Sequence, residues 1–174
     1  MNFRIGYGFD VHQLEKGRPF YLGGILLPDS PHGAVGHSDA DVLIHAICDA
    51  LLGAAALGDI GIHFPNTSAE FKNIDSKILL TRVVALIQEH GYSIGNIDAT
   101  VVLEAPKIVP HIPSMKKALS KAIGIDENCI SIKATTNEKL GYVGSHQGVN
   151  AHAVALIEKK NKFIFPVLLK YTRG

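Results

Sequence analysis

A chain of 174 residues, 47% of them apolar, is long enough to bury one substantial core and too short for two ordinary domains. Its 17 Lys and Arg against 16 Asp and Glu leave a formal charge of +1, which excludes the long-range field that would hold it on nucleic acid or an anionic membrane. No apolar run reaches the roughly 18 residues needed to span a bilayer.

The chain enters a strand pattern almost at its first residue, which leaves no room for a signal or transit peptide and predicts a cytoplasmic protein, or an organelle-stroma protein whose transit peptide has been removed. Arg4 to His12 reads as that first strand. Phe20-Tyr21-Leu22 and Ile25-Leu26-Leu27 flank Gly23-Gly24 as the arms of a hairpin. A first helix is expected from about Ser38, with Asp41 three positions on, to about Leu57. Cys48 falls inside its apolar pattern, so Cys48 and the distant Cys129 read as buried free thiols in a reducing compartment.

A second helix fits Ser76 to His90, with Leu79, Val83, Leu86 and Ile87 on one side and Gly91 as its left-handed stop. Strand Ile97 to Leu103 follows, then a third helix from Pro113 to Gly124 whose buried stripe is Met115, Ala118, Leu119 and Ala122. Ile130 to Ala134 and Val149 to Ile157 complete the strands. Val149, Ala151, Ala153, Ala155 and Ile157 form one phase of the last strand, with Asn150 and His152 on the other, and either face can meet a second subunit. The order predicts an α+β fold, a mixed sheet with helices packed on one face. The basic tail Lys159, Lys160, Lys162, Lys170 and Arg173 reads as a solvated extension.

Asp10 and His12 stand two apart on a strand and so share a face, where both can touch one ion. His45 lies on a helix stripe with Ser38, Asp41 and Asp49, apart from the apolar stripe of Leu43, Ile47, Ala50, Leu51 and Ala54. Two imidazoles and one carboxylate suit zinc, with a fourth position left for a substrate oxygen. A turn-facing polar pair and a solvated helix histidine satisfy the same spacing. His37 and Ser38 stand at a helix start, where free N–H groups attract phosphate, or merely cap the helix. Thr135-Thr136-Asn137-Glu138-Lys139 gathers groups that can hold a phosphate and a hard divalent ion, or begin a helix.

Taken together, GYGFDVH, GHSDADVLIHAICDALLGAAALGDIGIHFPNTS, EAPKIVPHIP and IKATTNEKLGYVG, in this order and spacing, resemble the 2-C-methyl-D-erythritol 2,4-cyclodiphosphate synthase family from Arg4 to Ile157. The resemblance implies one synthase domain over residues 1–157 and a C-terminal extension over 158–174. It implies a homotrimer with sites between subunits that cyclises 4-diphosphocytidyl-2-C-methyl-D-erythritol 2-phosphate and releases CMP. In that reading Asp10, His12 and His45 carry zinc, one per chain, and Glu138 holds magnesium or manganese bridging the diphosphate. His37 and Thr136 stabilise the transition state. Asp59, Ile60 and Gly61 meet the sugar or polyol, and Phe64, Pro65, Asn66, Thr67 and Ser68 the erythritol side. Leu103, Glu104, Ala105, Pro106, Lys107, Ile108 and Val109 frame the cytosine, and Ser38, Thr135, Asn137, Tyr142 and Ser145 make further substrate contacts. The attacking phosphate is already anionic, so the reaction needs no protein nucleophile and no general base.

The chain departs from the family's pattern at Asn66 and Ser68, where the family often has Asp, and at Ser145 and Gln147, where Arg and Glu are often seen. That arginine is linked with a diphosphate-binding cavity on the trimer axis. Two competing readings are a zinc-dependent phosphodiesterase or pyrophosphatase that activates water, and a non-enzymatic trimer that binds isoprenoid diphosphates.

Overall fold

Period-two patterning in the first strand sets the architecture. The computed structural model describes residues 2–160. Strand β1 (Phe3–Lys16) runs past both ends of the expected segment. Its Gly6, Gly8 and Leu14 are buried on the face that also carries Asp10 and His12, whereas Ile5, Tyr7, Phe9 and Val11 stand exposed on the other. Strands β2 (Tyr21–Leu22) and β3 (Ile25–Leu26) form the two-residue hairpin that Gly23-Gly24 predicted. Strand β4 (His32–Ala34) then returns to pair with β1.

Helices α1 (Val42–Ala55), α2 (Ile60–His63) and α3 (Ser76–Glu89) precede strand β5 (Tyr92–Val102), and helix α4 (Ile112–Ile123) leads to strand β6 (Ile130–Thr135). A short helix, α5 (Gly141–Gly144), and strand β7 (Gly148–Lys159) close the described chain. The main sheet has the order β4-β1-β7-β5-β6. It is mixed, because β5 and β6 run parallel while the other neighbours run antiparallel. Helix α1 packs on β1 and β7, α3 on α1 and α4, and α4 on β6, so this is an α+β fold.

Helix α1 is apolar almost all round, as a helix between sheet and helix layer must be. Its only residues that are not buried are His45, Asp49 and Gly53, spaced four apart on one stripe. The helix sits so close to β1 that a Cβ on Gly6 or Gly8 would run into the carbonyls of Ala50 and Ala46. Val149, Ala151, Ala153, Ala155 and Ile157 all turn into this layer, which settles the facing of β7.

The first helix begins at Val42 instead of near Ser38, and ends at Ala55 with Ala56 in the left-handed region. The reason is Asp41. Its carboxylate, fully buried, accepts from the N–H groups of Ile44 (3.0 Å) and Gly23 (2.9 Å) through Oδ1 and of Gly24 (2.6 Å) through Oδ2. Asp41 is thus the cap that also pins the hairpin, and it does not share the polar stripe of His45. Strand β5 starts five residues earlier than its pattern indicates, with a bulge between Ile94 and Asn96. Helices α3 and α4 end at Gly91 and Gly124 as expected, and Cys48 (buried) and Cys129 (half-buried) are free thiols. Strand β7 continues to Lys159, beyond the expected end at Ile157. The tail residues Lys162, Lys170 and Arg173 lie outside the described residues.

Candidate active site

Asp10 and His12 enter the site from β1 and His45 from the uncovered stripe of α1. Asp10 Oδ2 lies 3.0 Å from both His12 Nε2 and His45 Nδ1, and the two ring nitrogens are 3.1 Å apart. This near-equilateral triangle suits one small cation, because ligands about 2.0–2.1 Å from a tetrahedral zinc stand about 3.3 Å from one another. Among the described residues it is the one His/Cys/Asp/Glu cluster of that kind. With an ion in place of the proton, each imidazole can turn a bare nitrogen to it, because the other ring nitrogen is engaged. His12 Nδ1–H donates to the Val35 carbonyl (2.9 Å), and His45 Nε2–H to the hydroxyls of Ser76 (3.0 Å) and Ser38 (3.1 Å).

Burial opposes charge on Asp10, yet hydrogen bonds and charge from His12 and His45 outweigh it and hold the carboxyl well below its ordinary range. Burial also works against protonation of His12, and Asp10 with the Val35 carbonyl raises its pKa above the ordinary value all the same.

The triad opens into a cavity of about 220 Å³ whose wall includes His37, Ser38, Asp49, Ile60, Gly61, Phe64 and Asn66. His37 Nε2–H donates to the Ser68 carbonyl (3.1 Å), which ties the ring to the 64–68 turn. Asp49 accepts from the Ile60 N–H (2.7 Å), and Asp59 caps α2 by accepting from Ile62 (3.1 Å), so the 59–61 segment is anchored to α1. Phe64 is buried edge-on against Phe71 with ring centres 5.4 Å apart, while Pro65, Asn66 and Thr67 are exposed and Ser68 caps a 3-10 turn.

The second group of candidates gathers elsewhere. Leu103, Pro106, Lys107, Ile108 and Val109 line a cavity of about 160 Å³ together with Thr135 and Thr136. Ala105 is exposed beside it. Glu104 turns its carboxylate to the next loop, accepting from the N–H groups of Asn137 (2.9 Å) and Lys139 (3.2 Å). In that loop Thr136 Oγ1–H donates to Glu138 Oε1 (2.7 Å), and Glu138 has a positive φ of 51°. Tyr142 OH accepts from Asn150 (2.8 Å), and the Ser145 hydroxyl is engaged by the Gly141 carbonyl of its own turn (3.0 Å). The triad cavity and the Leu103–Val109 cavity share no lining residue. Within one chain, β7 and β5 separate β1 from β6, three strand spacings or about 14 Å.

The sequence profile of the YgbB family matches residues 3–158 of this chain. The chain belongs to the YgbB family. It is 59% identical to the 2-C-methyl-D-erythritol 2,4-cyclodiphosphate synthase of Bacteroides fragilis over 159 residues, covering 91% of this chain and 99% of that one. The synthase of Cytophaga hutchinsonii is 60% identical with the same coverage. Among solved structures, a 2C-methyl-D-erythritol-2,4-cyclodiphosphate synthase in a CDP-bound form superposes with a TM-score of 0.82 at 39% identity, covering 89% of this chain and all of that one. The bifunctional IspDF of Campylobacter jejuni gives 0.86 at 38% identity over 90% of this chain, which spans 42% of that larger one.

Beside the residues expected in this YgbB-family site stand Asp39, Ser76 and Val35, which sequence reasoning missed. Ser76 reads only as a helix start and lies 31 residues from His45. Val35 contributes a backbone carbonyl, for which no side-chain signal exists.

Proposed function

We infer that the chain closes the 2-phosphate of 4-diphosphocytidyl-2-C-methyl-D-erythritol 2-phosphate onto its own diphosphate, giving 2-C-methyl-D-erythritol 2,4-cyclodiphosphate and CMP. An oxygen of the 2-phosphate forms a bond to the β-phosphorus as the bond to the CMP oxygen breaks, and no water is consumed. The observation that carries this reading is the Asp10–His12–His45 triangle opening into its cavity in a chain that matches synthases over 99% of their length.

The donor set fits zinc at the triad and an oxygen-seeking ion such as magnesium or manganese at Glu138. Bound there, such ions neutralise diphosphate charge and polarise the phosphorus. The protein's own share is positioning. His37 offers an imidazole to developing negative charge from one side, and from the other Thr136 offers its hydroxyl by turning its O–H from Glu138 to the phosphate. Asp59, Ile60 and Gly61 hold the sugar or polyol, Phe64 to Ser68 take the erythritol side, and the pocket from Leu103 to Val109 takes the cytosine. Ser38, Thr135, Asn137, Tyr142 and Ser145 complete the substrate contacts.

Assembly as a homotrimer completes the site. The sheet face opposite the helices exposes Ile5 (71%), Tyr7 (61%), Phe9 (42%), Val11 (44%) and Val154 (41%), an apolar surface that other copies of this chain would cover. The separated cavities support a site built from one subunit's triad and its neighbour's cytosine pocket. One domain over residues 1–157, with 158–174 as an extension, suits this arrangement, and a cytoplasmic or stromal setting suits its free thiols. Among the described residues no helix is long and apolar enough to cross a membrane.

Turnover in ¹⁸O-labelled water tests the reaction by phosphorus NMR and mass. A cyclic diphosphate free of solvent oxygen is expected, and a ring-opened, labelled phosphate would instead establish a hydrolase. His45→Ala should remove bound metal and activity together.

A further inference from the structure

We propose that Asp39 is a positioning residue for the metal centre, acting through the Ser76 hydroxyl to hold the His45 imidazole with its bare Nδ1 toward the ion. The proposal rests on the metal-dependent reading above and concerns how that site is kept ready.

His45 can serve as a ligand through Nδ1 only if its proton sits on Nε2. Nε2 faces Ser76 Oγ at 3.0 Å, but a hydroxyl can either donate or accept, so its presence alone does not fix the tautomer. Asp39 removes the choice. Its Oδ1 accepts a hydrogen bond from the Ser76 hydroxyl, and its Oδ2 accepts from the Ser76 backbone N–H (3.0 Å). Gripped at both points, Ser76 has spent its single O–H and leaves only oxygen lone pairs toward His45. The ring must therefore donate from Nε2. Ser76 is fully buried, so water does not compete for this hydroxyl.

Asp39 is itself held in place. Its N–H donates to the Ile74 carbonyl (3.1 Å), and its carboxylate accepts from the Asp41 N–H (3.3 Å) at the start of α1. Ser38 offers a second acceptor to His45 Nε2, but no carboxylate fixes its hydroxyl, which accepts from the Ala40 N–H (3.2 Å). The two histidines thus differ in kind. His12 is oriented by a backbone carbonyl that no substitution removes, and His45 by a carboxylate–hydroxyl relay that one substitution breaks.

The experiment measures zinc affinity by chelator competition on the stripped and reloaded full chain, with turnover recorded separately. Asp39→Asn and Ser76→Ala should each weaken zinc binding about 10- to 100-fold. The double variant should bind no more weakly than Ser76→Ala alone, because both act through one relay. The cobalt-loaded variants should show a shifted visible spectrum, which a loss of fold stability alone would not produce. Parent-like affinity in either single variant overturns the proposal, as does a full additional loss when Asp39→Asn is placed on Ser76→Ala. If Asp39→Asn does not fold, Ser76→Ala, which keeps the Asp39 carboxylate's bond from residue 76 N–H, decides alone. A parent that turns over and binds zinc while both variants match it sinks the relay and leaves the reaction standing. A parent that takes up no zinc sinks the metal reading and the relay with it.

Discussion

Gly8 on β1 lies against the carbonyl of Ala46 on α1 with no space for a Cβ between them. Ala46 follows His45, and Gly8 stands one strand repeat before Asp10, so this contact sets how near His45 comes to Asp10 and His12. Gly8→Ala should cost about 1–3 kcal/mol by overpacking and weaken zinc uptake as the triangle spreads. Gly124→Ala, strained at a helix stop with open space around it, should lower the melting temperature and leave metal affinity alone. A Gly8→Ala protein that melts early yet binds zinc like the parent would separate packing from site geometry.

If the triad holds a metal, proton and metal compete there. His12 is raised above 6.5, so in the metal-free protein its contribution to stability is complete below that value and fades as pH climbs through the raised one. Asp10 is depressed below 3.8, so its contribution holds above that value and disappears in strong acid. A zinc ion held there would need His12 bare, and its affinity would rise with pH. As pH climbs past 6.5 the stripped protein should lose melting temperature while its gain from added zinc grows. Parallel curves for the stripped and loaded forms would show that His12 is not a ligand.

Glu138 stands beside the Thr136 hydroxyl on the loop after β6 and is not part of the triad cavity's wall. Glu138→Gln should keep zinc in full and raise the magnesium concentration needed for half-maximal turnover. An unchanged magnesium titration removes Glu138 from the ion.

If triad and cytosine pocket come from neighbouring subunits, two inactive proteins can repair each other. His45→Ala mixed with Lys107→Glu should regain activity once subunits re-assort, through sites that carry neither lesion. Cross-linking each trimer beforehand should abolish the recovery. No gain in a re-assorted, folded, trimeric mixture would place the chemistry within one chain.

Much of this was readable from residue spacing, and the rest fails for definite reasons. Asp10 and His12 two apart on a strand, and His45 off the apolar stripe, follow from periodicity alone. The helix start does not, since Ser38 and Asp41 both suit a cap, and the N–H groups of Gly23 and Gly24 decide for Asp41. The Asp39–Ser76 link joins residues 37 apart, and local patterns cannot reach that far. Glu104 looks like a pocket residue in its sequence string, but its carboxylate has loop N–H groups to satisfy. The separation of the two cavities emerges only from strand order.

The buried carboxylate of Asp41 has a further consequence for the way the protein opens. Because it receives the hairpin's Gly23 and Gly24 N–H groups and the Ile44 N–H of α1, neither element can peel away without leaving a desolvated acceptor behind. Hairpin and helix start therefore unfold as one cooperative unit, and their amides should exchange with solvent at a common free energy. His45 lies in the first turns of that helix. If His45 holds a metal, any fluctuation that releases the hairpin would release that ligand as well, and the exchange of a remote turn would become a clock for how long the centre stays assembled.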